Sequence, residues 1–320
     1  MCPRTRPGRW GPDAAAGPAV AVRAASGDDR SVNDPIASVR RTPAPSSTVL
    51  VTAADGTELA GARYAGTGVP VLLVHGFGSS GFSNWVRTGW VRDLTAAGRD
   101  VITVDLRGHG LSGHPTDPGA YRVRTLVADV QTVLAAIAPE HVLFDAAGYS
   151  LGARVAAELA RFDGPIRRLV LAGSDGRPLY QDVDIPDVVD ALLLGTSTGS
   201  EQAKRIVRIA RALPGTNLEA MAAVTAGLAA EDPQAGSGTP FPGVPVLIAG
   251  GDRDEMFTGA AEWVDRIREH SPKTGAEFLL VPGRNHVTAV TSAVLRAGAV
   301  AFLSCLPSPS GDPHTPETVG

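Results

Sequence analysis

Short apolar runs alternate with amphipathic stretches along most of the chain. The apolar runs lie at residues 71–74, 101–104, 142–144, 169–171, 246–248 and 278–281. The stretches between them with helical spacing of apolar residues are 84–97, 121–138, 151–162, 260–270 and 288–303. Continuous apolar strands separated by amphipathic helices are typical of a parallel sheet with helices on both faces. We therefore predict an α/β fold whose functional groups lie on loops at the carboxyl ends of the strands.

The two ends of the chain show a different pattern. Residues 1–46 are rich in Pro, Gly, Ala and Arg and have neither helical nor strand periodicity, and residues 306–320 are similarly rich in Pro and Ser. Such segments bury too little apolar surface to offset the entropy of ordering, so we predict flexible tails at 1–46 and 306–320. The folded domain is then 47–305. It opens with a predicted hairpin, because residues 48–52 and 59–64 flank Asp55-Gly56.

Composition and charge narrow the function classes. The 320 residues are 43% hydrophobic and 19% charged with a formal net charge of −4, and no basic patch suited to nucleic acid is evident. No apolar run reaches the ~20 residues of a membrane span. The two cysteines, Cys2 and Cys305, exclude a disulfide framework or a cysteine-based metal site and favour a cytoplasmic location. Gly17, Pro18 and Arg23 interrupt the alanine-rich N-terminal stretch, which argues against a secretory signal. The oligomeric state is left open.

A Gly-x-Ser-x-Gly motif follows one of the predicted strands. Gly148-Tyr149-Ser150-Leu151-Gly152 leads directly into a helix-forming segment, which is the context of a nucleophile elbow. The tight turn needs glycines, and it raises the serine hydroxyl above the sheet edge at a helix N-terminus. A second match surrounds Ser197 at residues 195–199, but no strand is expected before it. We therefore predict that Ser150 is the nucleophile and that Ser197 lies in a turn between two helices.

The arrangement resembles the α/β-hydrolase superfamily, and the resemblance covers roughly residues 49–303. Besides the elbow, four segments match the family pattern in order, each after a predicted strand: His-Gly-Phe-Gly at 75–78, Asp-Leu-Arg-Gly-His-Gly-Leu-Ser at 105–112, Gly-Asp-Arg-Asp at 251–254 and Pro-Gly-Arg-Asn-His at 282–286. The form of the elbow resembles bacterial, esterase-like members. The resemblance implies a mostly parallel central sheet with helices on both faces. It also implies a small helical cap, here about 177–243, with candidate helices at 186–194, 201–213 and 218–230.

A serine needs a base, and the base needs an acid that fixes its tautomer. In this fold the order along the chain is serine, acid, histidine, so His286 is the expected base. His75 and His109 precede the serine, and the resemblance makes both structural. Asp252 and Asp254 both follow the strand at 246–248, and the family pattern Gly-x-x-Asp selects Asp254, although sequence spacing alone leaves both open. Asp252 then caps the turn.

Two backbone N–H groups are expected to form an oxyanion hole. One is that of Leu151, directly after the nucleophile, and the resemblance adds that of Phe77. Candidates for the wall of the substrate pocket are Phe82, Trp85, Tyr149 and Met256. No metal site, phosphate loop or other cofactor motif is visible, so no cofactor is predicted.

The expected activity is that of a serine hydrolase acting on an ester-like small molecule through an acyl-enzyme. Its partner would be this acyl substrate, with neither nucleic acid nor membrane. Two alternatives stay open: acyl transfer or perhydrolysis by the same three residues, and ligand binding without turnover. Epoxide and haloalkane hydrolysis is disfavoured, because those relatives place aspartate where this chain has Ser150.

Overall fold

The structure is a computed structural model that describes residues 21–24, 42–161, 164–230, 243–272 and 274–304. Most of the two predicted tails, namely residues 1–20, 25–41 and 305–320, lies outside these ranges. Within the N-terminal segment, however, residues 21–24 form a strand that pairs antiparallel with the first strand of the hairpin. The sequence pattern did not predict this strand, because it is defined by backbone pairing and not by an alternation of apolar and polar residues.

The described strands form one nine-stranded sheet in the order β1-β2-β3-β5-β4-β6-β7-β8-β9. β1, β2 and β3 pair antiparallel in that order, and β3 also pairs antiparallel with β5. The remaining pairs, from β5-β4 to β8-β9, are parallel. The predicted hairpin and mostly parallel sheet are therefore confirmed. The strands are β1 Ala21–Ala24, β2 Ser47–Thr52, β3 Glu58–Tyr64, β4 Thr67–Val74, β5 Arg99–Asp105, β6 Phe144–Tyr149, β7 Ile166–Ala172, β8 Val246–Gly251 and β9 Ala276–Val281.

Helices cover both faces of the sheet. In β4, Leu72 and Val74 belong to one buried cluster while Val71 and Leu73 belong to the other, as the two-residue period of a strand requires. One cluster includes apolar residues of α2, α3 and α7, and the other includes those of α1 and α8. The helices are α1 Trp90–Ala96, α2 Val123–Ile137, α3 Leu151–Arg161, α4 Ile185–Leu194, α5 Glu201–Ala210, α6 Leu218–Ala229, α7 Ala260–His270 and α8 Ala293–Ser304. Within the described ranges, none of these helices has the length and apolar character needed to cross a bilayer.

Two predicted elements differ from the structure. The stretch 84–97, expected to be one helix, is a π-helical turn at Phe82–Val86 followed by α1. The break lies at Gly89, whose φ of 90° is in the left-handed region. The apolar run 142–144 also starts its strand late, because Val142 is 86% exposed and β6 begins at Phe144.

The three helices between β7 and β8 form the cap. α4, α5 and α6 occupy the interval where the insertion was expected, and each begins at a side-chain cap, from Asp184, Ser200 and Asn217 respectively. Residues 195–199, the second Gly-x-Ser-x-Gly match, connect α4 to α5 rather than a strand to a helix. The cap therefore lies over the carboxyl ends of the parallel strands.

Candidate active site

Ser150 occupies a strained position between β6 and α3. Its φ is 53°, and among the described residues Asp182 is the one other non-glycine with a positive φ. Its amide donates to the carbonyl of Ala172 at 2.8 Å, which fixes the turn against β7. A residue held in the left-handed region at such a turn is maintained by its surroundings and is common at functional sites.

The glycines of the motif are required by close backbone contacts. A Cβ on Gly148 would lie 2.2 Å from the carbonyl oxygen of Gly152, and a Cβ on Gly152 would lie 2.0 Å from that of Val74. The loop after β4 is also close, since a Cβ on Gly76 would lie 3.4 Å from the Cβ of Ser150. The strand–turn–helix packing thus places the loop at 75–78 beside the serine.

Ser150, His286 and Asp254 form a continuous hydrogen-bonded chain. Nε2 of His286 lies 3.1 Å from Oγ of Ser150, and Nδ1 lies 2.9 Å from Oδ2 of Asp254. Because a carboxylate accepts hydrogen bonds, the ring proton is on Nδ1 and Nε2 is left to accept the serine hydroxyl. An imidazole held in this way can take a proton from the hydroxyl and is stabilised when it becomes charged.

The structure separates the two candidate acids. Asp254 is buried, and its second oxygen accepts from the amide of Met256 at 2.9 Å. Asp252 is exposed, and its Oδ1 accepts from the amide of Gly283 at 2.7 Å. Asp252 therefore ties the β8 loop to the β9 loop that carries His286, while Asp254 contacts the imidazole.

Tyr149 connects the elbow to the histidine loop. Its hydroxyl donates to the backbone carbonyl of His286 at 2.6 Å, and the two ring centroids lie 5.6 Å apart. Burial raises the pKa of Tyr149 well above its ordinary value of 10, with the charge of Asp254 as a smaller cause. Tyr149 is thus a neutral donor that holds the imidazole in place as well as part of the cavity wall.

His75 and His109 are buried away from the proton path. His75 Nε2 accepts from the amide of Leu106 at 3.0 Å and Nδ1 donates to the carbonyl of Gly76 at 2.8 Å, so this neutral ring braces the loop beside Ser150. Nδ1 of His109 lies 2.9 Å from the carbonyl of Arg107. Burial lowers the pKa of His75 to about 4 and that of His109 to about 3.

The two candidate oxyanion donors, Phe77 and Leu151, both lie close to Ser150 in the cavity lining. Leu151 is the first residue of α3, and the first amides of a helix have no acceptor within it. Phe77 lies on the loop packed against Ser150 and contacts the ring of His109 edge to face. Both residues line a cavity of about 580 Å³ that also contains Ser150 and His286.

The cap forms the roof of this cavity. A Cβ on Gly78 would lie 2.9 Å from the carbonyl oxygen of Ile209, so α5 packs directly on the loop after β4. Arg205 of α5 also forms an ion pair with Glu255, which follows Asp254 on the β8 loop. These contacts link the cap to the loops that carry the candidate site.

Two of the four pocket predictions need correction. Tyr149 and Met256 line the cavity as expected. Phe82 is 64% exposed and Trp85 is fully buried against Trp90, with ring centroids 5.0 Å apart, and neither lines the described cavity. The two residues between them, Ser83 and Asn84, line the cavity instead. Neither was predicted, because the sequence pattern indicated a regular helix through this segment.

Comparison with known proteins supports the fold described above. A family model for the alpha/beta hydrolase fold matches residues 69–195. The 2-hydroxymuconate semialdehyde hydrolase of Pseudomonas sp. (strain CF600) is 36% identical over 113 residues, covering 35% of this chain and 38% of that protein. The chain thus spans about two fifths of the length of the curated relatives it matches.

Solved structures extend the likeness over the whole domain. The bottromycin epimerase BotH has a TM-score of 0.63 at 20% identity and covers 80% of this chain and 99% of its own. A thermophilic esterase from Thermogutta terrifontis has a TM-score of 0.58 at 23% identity, covering 79% of this chain and 96% of its own. At these identities the likeness concerns the fold. With the family match over β4 to α4 and the sheet order described above, the chain has the α/β-hydrolase fold.

Proposed function

We propose that the protein is a serine hydrolase that cleaves a carboxylic ester of a small molecule through an acyl-enzyme intermediate. The observation that carries the proposal is the chain from Asp254 through His286 to Ser150, with both links at hydrogen-bond distance. The cavity volume of about 580 Å³ lies within the range of small-molecule sites.

Each group has a defined part in the proposed reaction. Oγ of Ser150 attacks the ester carbonyl while Nε2 of His286 takes the hydroxyl proton, and Asp254 stabilises the resulting imidazolium. The amides of Phe77 and Leu151 donate to the oxygen that gains negative charge. The leaving alcohol takes the proton from His286. Water then repeats the sequence on the acyl-enzyme and releases the carboxylic acid with free Ser150.

The residues that the cap contributes to the cavity indicate that the acyl or alcohol group of the substrate is small and largely apolar. Leu179, Ile206, Ile209 and Leu213 line the cavity beside Met256. Apolar walls exclude water and strengthen the hydrogen bonds to the developing charge. The proteins that the chain resembles include a semialdehyde hydrolase and an esterase, which agrees with hydrolysis at a carbonyl carbon.

Ser150→Ala tests the nucleophile. Wild-type protein should be labelled by a fluorophosphonate probe and should hydrolyse members of a p-nitrophenyl ester series of increasing chain length. Ser150→Ala should not be labelled and should lose about 10³-fold or more in kcat. Ser197→Ala is the matched control, because it alters the second motif match in the cap and should leave labelling and turnover unchanged. Absence of labelling in folded wild-type protein would refute the proposal.

Transfer to an acceptor other than water uses the same intermediate. α5 of the cap packs over the loop beside Ser150 through Ile209 and Gly78, and such a cover over the site is the observation that favours this second candidate. Product analysis with added alcohol or peroxide separates the two. Hydrolysis predicts the free acid as the main product at every acceptor concentration, and transfer predicts a new ester or peracid.

A further inference from the structure

Asn84 lies in the π-helical turn that follows the loop beside Ser150. It is 5% exposed, and it lines the cavity that contains Ser150 and His286. The backbone amide of Asn84 donates to the carbonyl of Ser80 at 2.8 Å, and the backbone carbonyl of Asn84 accepts from the hydroxyl of Thr88 at 2.5 Å. Single π-helical turns are uncommon and often occur at functional sites. The backbone of Asn84 is therefore held firmly on both sides.

The orientation of the Asn84 amide follows from its neighbour. Its Oδ1 accepts from the backbone amide of Gly76 at 3.3 Å. Because a backbone N–H can only donate, the side-chain oxygen must face Gly76, and the flipped amide would place two donors against each other. The Nδ2 group therefore points away from Gly76.

Nδ2 has no hydrogen-bond partner among the described residues, although it is buried. A buried donor without an acceptor lowers stability, so a native protein that keeps one calls for an explanation. Asn84 adjoins Gly76, and Gly76 in turn packs against Ser150 and precedes Phe77, one of the proposed oxyanion donors. Asn84 and Ser150 line the same cavity, and a ligand that reacts with Ser150 brings a carbonyl oxygen, an acceptor, into that cavity.

We propose that Asn84 is a further catalytic residue, whose Nδ2 donates a third hydrogen bond to the carbonyl oxygen of the ester as it becomes negatively charged. The inference rests on the function proposed above. It adds a side-chain donor to the two amides of Phe77 and Leu151, and it gives Asn84 two tasks in one side chain. Oδ1 holds the loop through Gly76, and Nδ2 binds the oxyanion.

Two substitutions separate these tasks. Asn84→Asp keeps an oxygen to accept from Gly76 but loses the donor and adds negative charge, whereas Asn84→Ala loses both. A purely structural role predicts that Asn84→Ala, which loses the bond to Gly76, is more impaired than Asn84→Asp, which keeps it. A donor role predicts that both fall, and that Asn84→Asp is at least as impaired as Asn84→Ala.

The experiment measures kcat and KM with a p-nitrophenyl ester that wild-type protein cleaves. Removing one oxyanion donor lowers kcat by about 10²–10³-fold, so we expect this loss in both variants with KM changed by only a few-fold. Phe82→Ala is the matched control from the same turn, because its exposed ring lies outside the described cavity lining, and it should retain wild-type rates. A loss confined to KM, or an Asn84→Asp rate within threefold of wild type, would overturn the inference.

A second measurement needs no variant. An arylboronic acid that adds to Ser150 carries hydroxyl groups at the position of the oxyanion. In a crystal structure of the wild-type adduct, Nδ2 of Asn84 should lie within about 3.2 Å of a boronate oxygen. A separation above 3.5 Å would reject the role of Asn84 while leaving the serine hydrolase proposal intact. Failure of wild-type labelling would instead reject the proposed function itself.

Discussion

Asp252 and Asp254 lie two residues apart on one loop, yet their carboxylates have different partners. Asp254 is enclosed and bonded to His286, whereas Asp252 faces solvent and accepts from the amide of Gly283. A carboxylate contacting the imidazole decides which ring nitrogen carries the proton, and one on a loop surface does not. The pair therefore offers a test in which the chemistry of the substitution is identical and only the position differs.

Asp254→Asn should lower kcat by about 10⁴-fold, because the amide favours the wrong tautomer of His286. Asp252→Asn keeps an oxygen that accepts from Gly283 and should stay within a few-fold of wild type. The measurement is the rate of ester hydrolysis for the two purified variants at one pH. Equal losses in both, or a larger loss in Asp252→Asn, would show that the acid has been assigned to the wrong residue.

Motif and chain order were sufficient to predict Ser150 and His286, because each lies directly after a strand whose end points to the site. The family pattern Gly-x-x-Asp favoured Asp254, but Asp252 follows the same strand only two residues away, so the choice of acid needed geometry. Asn84 could not be found at all, because its position depends on a π-helical turn and sequence periodicity at 84–97 indicated an ordinary helix. Its neighbours Phe82 and Trp85 were misassigned to the pocket for the same reason.

At the scale of elements, the two Gly-x-Ser-x-Gly matches show that context gives a motif its meaning. Gly152 lies at the start of α3, where a Cβ would lie 2.0 Å from the carbonyl oxygen of Val74. Gly199 occupies the same place in the second match, precedes α5 and has open space around its Cα. Gly152 lets α3 approach β4 closely, whereas Gly199 lies in the connection between α4 and α5.

Gly152→Ala should therefore be strongly destabilising, by more than about 3 kcal/mol or to the point of preventing folding, since neither backbone can move without breaking the sheet. Gly199→Ala should change the free energy of unfolding by no more than about 0.5 kcal/mol. Denaturant titration of both variants checks this. A small effect of Gly152→Ala would mean that the contact between α3 and β4 is looser than the structure indicates.

Element boundaries were predicted less well than element types. The late start of β6 illustrates the cause: Val142 and Leu143 are apolar, but β6 begins only at Phe144, whose amide donates to the carbonyl of Pro165 at 2.5 Å. Backbone pairing sets where a strand begins, and hydropathy alone does not contain this information. The strand at Ala21–Ala24 shows the converse, since pairing with β2 creates a strand without an apolar pattern.

At the scale of the whole molecule, the sheet separates two apolar clusters, and a few polar groups are buried within or beside them. His75 and His109 are the titratable examples with a direct consequence for stability. Their rings lie 5.1 Å apart beneath the loops that surround Ser150, and burial is the main cause of the low pKa of each. A positive charge on one ring makes protonation of the other still less favourable, because the charge of His75 lowers the pKa of His109.

These two histidines should make the free energy of unfolding fall in mild acid. In the unfolded chain each ring binds a proton near its ordinary pKa of about 6.5, whereas in the folded protein it does so only near pH 4 or pH 3. Above pH 6.5 both rings are neutral in the folded and the unfolded chain, and they do not lower the free energy of unfolding. As the pH falls from 6.5 toward the pKa values of the folded protein, the free energy of unfolding decreases. In that window each contributes up to about 1.4 kcal/mol per pH unit. Asp105 and Asp129, whose pKa values burial raises, act in the opposite direction and reduce the total.

His109→Phe isolates one of the two contributions. Phenylalanine fills a similar volume without titrating, so the plot of unfolding free energy against pH should become shallower by up to about 1.4 kcal/mol per unit between pH 6 and pH 4. Ile137→Val is the control, because removing a buried methylene costs about 0.5–1.5 kcal/mol at every pH and should only shift the curve downward. Urea titrations at half-unit intervals of pH give both curves. If the His109→Phe curve runs parallel to that of wild type, His109 has the same pKa in the folded and unfolded protein, and burial does not lower it.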